Sequence, residues 1–253
     1  MIRLTKSSNV VRVFGISDLH LSFSKHKPMD EFGSHWENHP DKIRDSWLEL
    51  VYPDDIVLIP GDHSWASKLQ EAIPDLFFID RLPGRKVIVK GNHDFWWQGV
   101  KKLDDVLDNT SISAIRNNCV TIDIEDKNIR LGFIGTRGFD FDRVGDMENS
   151  EIYESKYFLR ETNRLQLSID DMKKKNPTRV VALMHFPPFR NVWGGRTPFT
   201  RMFSEAGVTD CVYGHLHYPK TQKKAFQKEL DGVIYHLVPC DYLDFIPKLL
   251  FWL

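Results

Sequence analysis

Val87-Ile88-Val89-Lys90-Gly91-Asn92-His93-Asp94 is a short apolar run that stops at a glycine. Three side chains able to ligate metal or move a proton follow at once. Val87 to Val89 predicts a buried strand, because β-branched residues in so short a run suit a pleat packed on both faces. Gly91 lets the backbone turn where a Cβ would clash. The next side chains are then presented at the carboxyl end of a strand, where open α/β sheets hold their ligands. One such strand-turn carries little weight alone. The same design recurs four more times.

Val10 to Ile16 leads into Ser17-Asp18-Leu19-His20, and Ile56 to Ile59 into Pro60-Gly61-Asp62-His63. Arg179 to Met184 ends at His185, and Asp210 to Tyr213 at Gly214-His215-Leu216-His217. Between these runs, Asp41 to Val51 reads as a helix. Ser64 is placed to cap a helix from Trp65, with Pro74 in the first turn of another that ends near Pro83-Gly84. Gln98 to Leu107 reads as helical. Val120 to Ile124 and Ile129 to Ile134 read as a hairpin. Ser150 to Lys175 reads as one long helix, with Phe158, Thr162, Leu165, Ile169 and Met172 on one face. Ile234 to Val238 is the last expected strand. No repeat, low-complexity segment or linker interrupts 1–253, so one domain is expected, with a polar insertion at about 21–40 long enough to serve as a lid.

A formal charge of −1 leaves no general basic footprint for nucleic acid and no polybasic membrane segment. Cys119, Cys211 and Cys240 are odd in number and lack CxxC spacing, which suggests neither a disulfide framework nor a zinc ribbon. A reducing cytoplasm fits this usage. Met1 to Lys6 lacks the apolar core of a signal peptide, and no apolar run approaches a membrane span. The apolar tail Leu249-Leu250-Phe251-Trp252-Leu253 is expected to pack on the body, with a homodimer contact as the other reading.

Asp18, His20, Asp62, Asn92, His93, His185, His215 and His217 thus gather at five strand ends. Carboxylate, imidazole and amide oxygen without thiolate suit manganese, iron, zinc, cobalt or nickel better than a structural zinc site. The supply exceeds the needs of one tetrahedral ion, so two ions are expected. A carboxylate can bridge two cations, and a histidine cannot. Asp18 and His20, at i and i+2, are expected on one side of an extended segment. Two cations with few carboxylates leave positive charge over, which invites an anion such as phosphate. A lone DxH or HxH means little, and a lone buried histidine is usually a satisfied core group. Co-occurrence at the ends of five apolar runs sets this chain apart from that reading.

These motifs, in this order, resemble the signature of the calcineurin-like metallophosphoesterases. The resemblance implies an α/β fold, a four-layer αββα sandwich of two mixed sheets flanked by helices, with a dinuclear metal site at the sheet edge. It implies that Asp18, His20 and His217 hold one metal, that Asn92, His185 and His215 hold the other, and that Asp62 bridges them. The pair would be divalent or mixed-valence, with manganese or iron favoured. His93 would be a proton donor or a clamp on the phosphate. The chain departs from the family's compact members in the long spacing from His20 to Asp62. His63-Ser64-Trp65 after Asp62 also argues against a phosphoprotein phosphatase.

The expected reaction is hydrolysis of a phosphate ester of a small phosphorylated substrate by a hydroxide that two metals activate. His93 would protonate the leaving oxygen, and Asp94 would orient His93 or cap the next helix. A phosphodiester is slightly favoured over a monoester. The alternatives are a nuclease of the same superfamily, which needs a basic track, or a non-catalytic metal-binding scaffold. His63, Arg137, Arg190 and Arg196 are the candidates for substrate contact. His26, His35 and His39 are expected to be solvated, and His236 to be a satisfied core residue. Trp65, Trp96 and Trp97 are placed either to pack helix on sheet or to stack on a substrate ring.

Overall fold

A computed structural model describes residues 10–97, 99–145 and 147–253. The Met1 to Lys6 segment and Gln98 lie outside the described residues. Two sheets carry the expected parallel runs at their centres. The first is ordered β11 (Lys248–Trp252), β1 (Arg12–Gly15), β2 (Ile56–Ile59), β3 (Arg85–Val89), β4 (Ile112–Ile115). The second is ordered β5 (Val120–Ile124), β6 (Ile129–Thr136), β7 (Arg179–Met184), β8 (Val208–Tyr213), β10 (Val233–Leu237), β9 (Glu229–Leu230). Strands β1 to β4 run parallel, as do β6, β7, β8 and β10; β11, β5 and β9 are antiparallel to their neighbours. Both sheets are therefore mixed, and all five motifs leave carboxyl ends of parallel strands at one edge.

Alternation along each strand divides the core into three layers. Val13, Ile56, Leu58, Val87, Val89, Leu131, Phe133, Val181, Leu183 and Val212 fill the space between the sheets. The opposite faces carry Phe14, Val57, Ile59 and Ile88 against helices α1 (His39–Leu50), α2 (Leu69–Arg81) and α3 (Val100–Leu107). Ile134, Ala182, Met184, Cys211 and Tyr213 pack against α5 (Lys156–Lys175) and α6 (Pro198–Glu205). Each fully buried Val or Leu contributes about 1.5–3 kcal/mol, and these layers hold the strand ends rigidly in place. Helices cover both outer faces. The αββα sandwich expected from the resemblance is the observed architecture.

The elements differ from the sequence expectation at several points. No helix starts at Trp65; Ser64 spends its hydroxyl on the Asp75 carboxylate instead of a cap. The helix there is α2, and Pro74 lies inside it rather than in its first turn. The long helix breaks into α4 (Asn149–Glu154) and α5, because Ser155 takes extended backbone and its side chain accepts from the Phe158 amide. Phe158, Leu165, Ile169 and Met172 of the expected face are buried. The tail packs on the body as β11, antiparallel to β1. His39 is buried rather than solvated, its ring against Trp36 and Phe245. His236 Nε2 meets Asp210 Oδ1 at 2.9 Å and is satisfied as expected. Among the described residues no helix is long and apolar enough to cross a membrane.

Candidate metal centre

Backbone strain concentrates where the ligand loops leave the strands. Asp18, His20, Asp62 and His215 all have positive φ, between 45° and 71°, a region costly for residues other than glycine. Asp18 and His20 are therefore not on an extended segment, contrary to the i, i+2 argument. The turn itself, rather than strand alternation, aims both side chains inward. The glycines before the motifs serve close approach. A Cβ on Gly91 would stand 2.0 Å from Asp62 Oδ1, and one on Gly214 would stand 2.4 Å from Asp18 Oδ2. Loops from different strands meet at these glycines.

Ligand atoms of Asp18, His20 and His217 lie within 4.8 Å of one another, as do those of Asp18, Asp62 and His185. His217 Nε2 is 3.4 Å from Asp18 Oδ1 and 3.4 Å from His20 Nε2. On the other side, His185 Nε2 meets Asn92 Oδ1 at 2.5 Å and Asp62 Oδ2 at 3.5 Å. The His215 ring sits 5.1 Å from the His185 ring. Asp62 is placed between the halves. Its Oδ1 accepts the His93 amide at 2.8 Å. Its Oδ2 is buried without a hydrogen-bond partner, 3.9 Å from His20 Nε2. An orphaned carboxylate oxygen facing an imidazole from each half fits a bridging ligand, and the mixed O/N donor set fits two cations.

Electrostatics agree with that fit. Burial, and then the charges of Asp94 and Asp18, push the Asp62 carboxyl well above its usual range. Burial lowers His215 to about 3, with His185 adding to the effect. Burial acts on His217 in the same sense, but hydrogen bonds to Asp18 and Asp241 override it and push His217 up to about 10. The Asp62 carboxyl is short of countercharge and the His20, His185 and His215 imidazoles are short of protons, an arrangement that a cation relieves.

A family model for calcineurin-like phosphoesterases matches residues 11–219. The chain belongs to that family. A stretch of 78 residues is 35% identical to the Gene 66 protein of Mycobacterium phage L5, covering 31% of this chain and 37% of that one. The alignment thus spans little more than a third of that relative. Among solved structures, phosphopantetheinyl hydrolase (PptH) from Mycobacterium tuberculosis superposes with a TM-score of 0.55 at 16% identity, over 90% of this chain and 88% of that one. Protein TT1561 of Thermus thermophilus gives a TM-score of 0.51 at 8% identity, over 82% and 83%. At such identities the likeness is one of fold.

Asp94 neither orients His93 nor caps a helix. Its buried carboxylate accepts the amides of Asp62, His63, Ser64 and Gly91, the Trp96 indole at 2.9 Å and His63 Nδ1 at 2.9 Å. It clamps the Asp62 loop to the Gly91 loop. Burial alone would raise Asp94, but His63 and the Gly91 amide outweigh it and hold the carboxyl well below its usual range. His63 cannot contact substrate. It is fully buried, and its other nitrogen faces the Ile59 carbonyl at 3.3 Å.

Arg190 donates through Nη2 to the carbonyls of Gly145 and Met147, at 3.0 and 2.6 Å, while its Nη1 is buried without a hydrogen-bond partner. Arg196 pairs with Asp231 in the turn before β10, at the strand end opposite the ligands. Arg137 alone of the three arginines leaves a strand at the metal edge. His93 is half-buried there, its ring 5.7 Å from His20 and 4.4 Å from Trp65. Trp65 stacks on His20 at 4.6 Å, whereas Trp96 is a core residue. From the 21–40 segment, Lys27 Nζ lies 3.0 Å from the Trp65 ring centre, and Trp36 packs beside His20 and His217.

Sequence reasoning missed Asp241. Its Oδ1 lies 3.1 Å from His217 Nδ1, and its Oδ2 accepts from Gln222 Nε2 at 3.0 Å. The signal available was a lone acid just after the last parallel strand, at the edge where the histidines gather.

Proposed function

We propose that this protein hydrolyses phosphate esters with two bound metal ions, phosphodiesters in preference to monoesters. The observation that carries the reading is the unpartnered Asp62 oxygen between His20 and His185. Asp18, His20 and His217 would hold one ion, Asn92, His185 and His215 the other, with Asp62 between. Manganese or iron suits the donor set, with zinc, cobalt and nickel as other occupants. When bound, such a pair activates water as a nucleophile and neutralises the phosphate oxygens.

The chain's own residues supply the rest. Asp94 and the close glycines Gly61, Gly91 and Gly214 fix the ligand loops before substrate arrives, so little reorganisation is needed. Asp241 holds His217 in the tautomer that presents Nε2 to the site. His93 reaches the phosphate from the Trp65 side. Burial, with His185 and Lys27 adding, lowers it to about 4 in the chain alone. At neutral pH it therefore meets the phosphate as a neutral N–H donor. Its service as an acid to the leaving oxygen depends on the phosphate charge raising that value. The 21–40 segment acts as a lid on the His20 and His217 side.

Turnover of p-nitrophenyl phosphate and its bis-ester by manganese-reconstituted protein tests the reading. Faster turnover of the bis-ester is expected. Bound metal with no turnover of either would replace the enzyme by a scaffold.

A further inference from the structure

We propose that Arg137, Arg160 and Arg164, gathered round Glu161, form with Lys90 on the facing sheet an anion subsite for a second phosphate on the substrate. The inference rests on the phosphoesterase reading and names the substrate class: small phosphate esters that carry an additional phosphomonoester.

Position comes first. Strands β6 and β7 pair with Thr136 opposite Met184. Arg137 therefore leaves β6 level with His185, one strand away, about 4.8 Å along the sheet. The Phe186 amide donates to the Arg137 carbonyl at 3.0 Å and ties the two exits together. Lys90 directly follows β3 on the facing sheet, immediately before Gly91 and Asn92, and β3 packs on β6 and β7. The metal edge thus continues into a patch that both sheets supply.

Charge comes second. Glu161 on α5 is 1% exposed and accepts the Thr136 hydroxyl on Oε2 at 2.6 Å. Its Oε1 faces Arg164 at 2.8 Å, Arg160 at 3.3 Å and Arg137 at 3.6 Å. One carboxylate serves three guanidinium groups. The Lys90 ammonium makes no hydrogen bond or ion pair among the described residues. The other nearby acids are occupied: Asp94 by its six donors, and Asp140 by Arg143 at 2.9 Å. Arg137 Nε is buried without an acceptor. Arg160, Arg164 and Arg143 all repel it.

A structural ion pair would account for one arginine on Glu161. It does not account for three guanidinium groups on one carboxylate, half-open to solvent, with the Lys90 ammonium close enough to feel the charges of Arg137, Arg164 and Glu161. Guanidinium forks match phosphate oxygens, and the surplus of three positive charges suits a dianion. The patch is compact, centred on a single glutamate, in a chain of formal charge −1. That favours one terminal phosphate over a nucleic-acid strand.

Thymidine 5′-(p-nitrophenyl phosphate), with and without a 3′-phosphate, is the test pair on the manganese-reconstituted full chain. The 3′-phosphate is expected to lower KM by about tenfold or more. Arg164→Gln and, separately, Lys90→Gln should remove most of that advantage, reducing the ratio of kcat/KM between the two esters toward one. Calorimetry should show thymidine 3′,5′-bisphosphate binding about tenfold tighter than thymidine 5′-phosphate, and the same variants should erase the difference. Equal KM and equal binding for both members, with both esters turned over, would overturn the subsite and leave the phosphoesterase reading intact. Turnover of neither ester would overturn both. Tighter binding of single-stranded DNA, growing with its length, would overturn the small-substrate assignment.

Discussion

Asp241 Oδ1 lies 3.1 Å from His217 Nδ1, while the other nitrogen of that imidazole faces Asp18 at 3.4 Å. A carboxylate behind a ligating histidine fixes its tautomer and raises its basicity. Asp241→Asn should therefore weaken binding at the Asp18, His20 and His217 position by about 10–100-fold. Metal titration followed by calorimetry reads this directly. Affinity within about twofold of the unmodified protein would remove Asp241 from the site.

Gly91 offers a second test, because the Asp62 carboxylate stands where its Cβ would be. Gly91→Ala should push Asp62 aside, cost about 1–3 kcal/mol of stability, and reduce both metal content and turnover. Gly99 has open space around it. Gly99→Ala is thus the control, with metal content unchanged by elemental analysis.

His93 is close to the ligands without being among those drawn together, so His93→Ala should keep the bound metal. Turnover should fall roughly 10²–10⁴-fold on esters with poor leaving groups. The loss should shrink for p-nitrophenyl esters, whose leaving group needs no proton. A uniform loss across the leaving-group series would assign His93 to clamping the phosphate.

Lys86 makes a prediction about stability alone. Its buried ammonium donates to the carbonyls of Asp80 and Leu82 and to Ser111 Oγ. Burial nevertheless lowers its pKa to about 8. The unfolded chain, with an ordinary lysine, then binds more protons than the fold between about pH 8 and 10.4. Stability from Lys86 should rise with pH across that window. Denaturant titrations should show the native protein gaining on Lys86→Met from about pH 8 to about pH 10, and a constant difference would contradict the assignment.

Much of this was legible because glycine, an apolar run and a polar triplet coincide at strand ends. The sheet centres followed from the same runs. What escaped reading lacks local signal. Strand β4, with Ser113 in a four-residue run, is too short and polar to stand out, and β11 declares itself only by pairing with β1. The break at Ser155 depends on one side-chain cap inside an otherwise continuous helical pattern. His63 looked like a substrate residue by adjacency to Asp62, but its ring is buried between the Asp94 carboxylate and the Ile59 carbonyl, partners that no local pattern announces. Asp241 and the Glu161 cluster are joined to the site by tertiary contact alone.

The number of metal ions per chain bears most directly on the whole account. Elemental analysis of active, manganese-reconstituted protein should find two per molecule, and Asp62→Asn should lose metal from both positions while remaining folded by circular dichroism. One ion per molecule at full activity, or an Asp62→Asn protein that retains two, would contradict it.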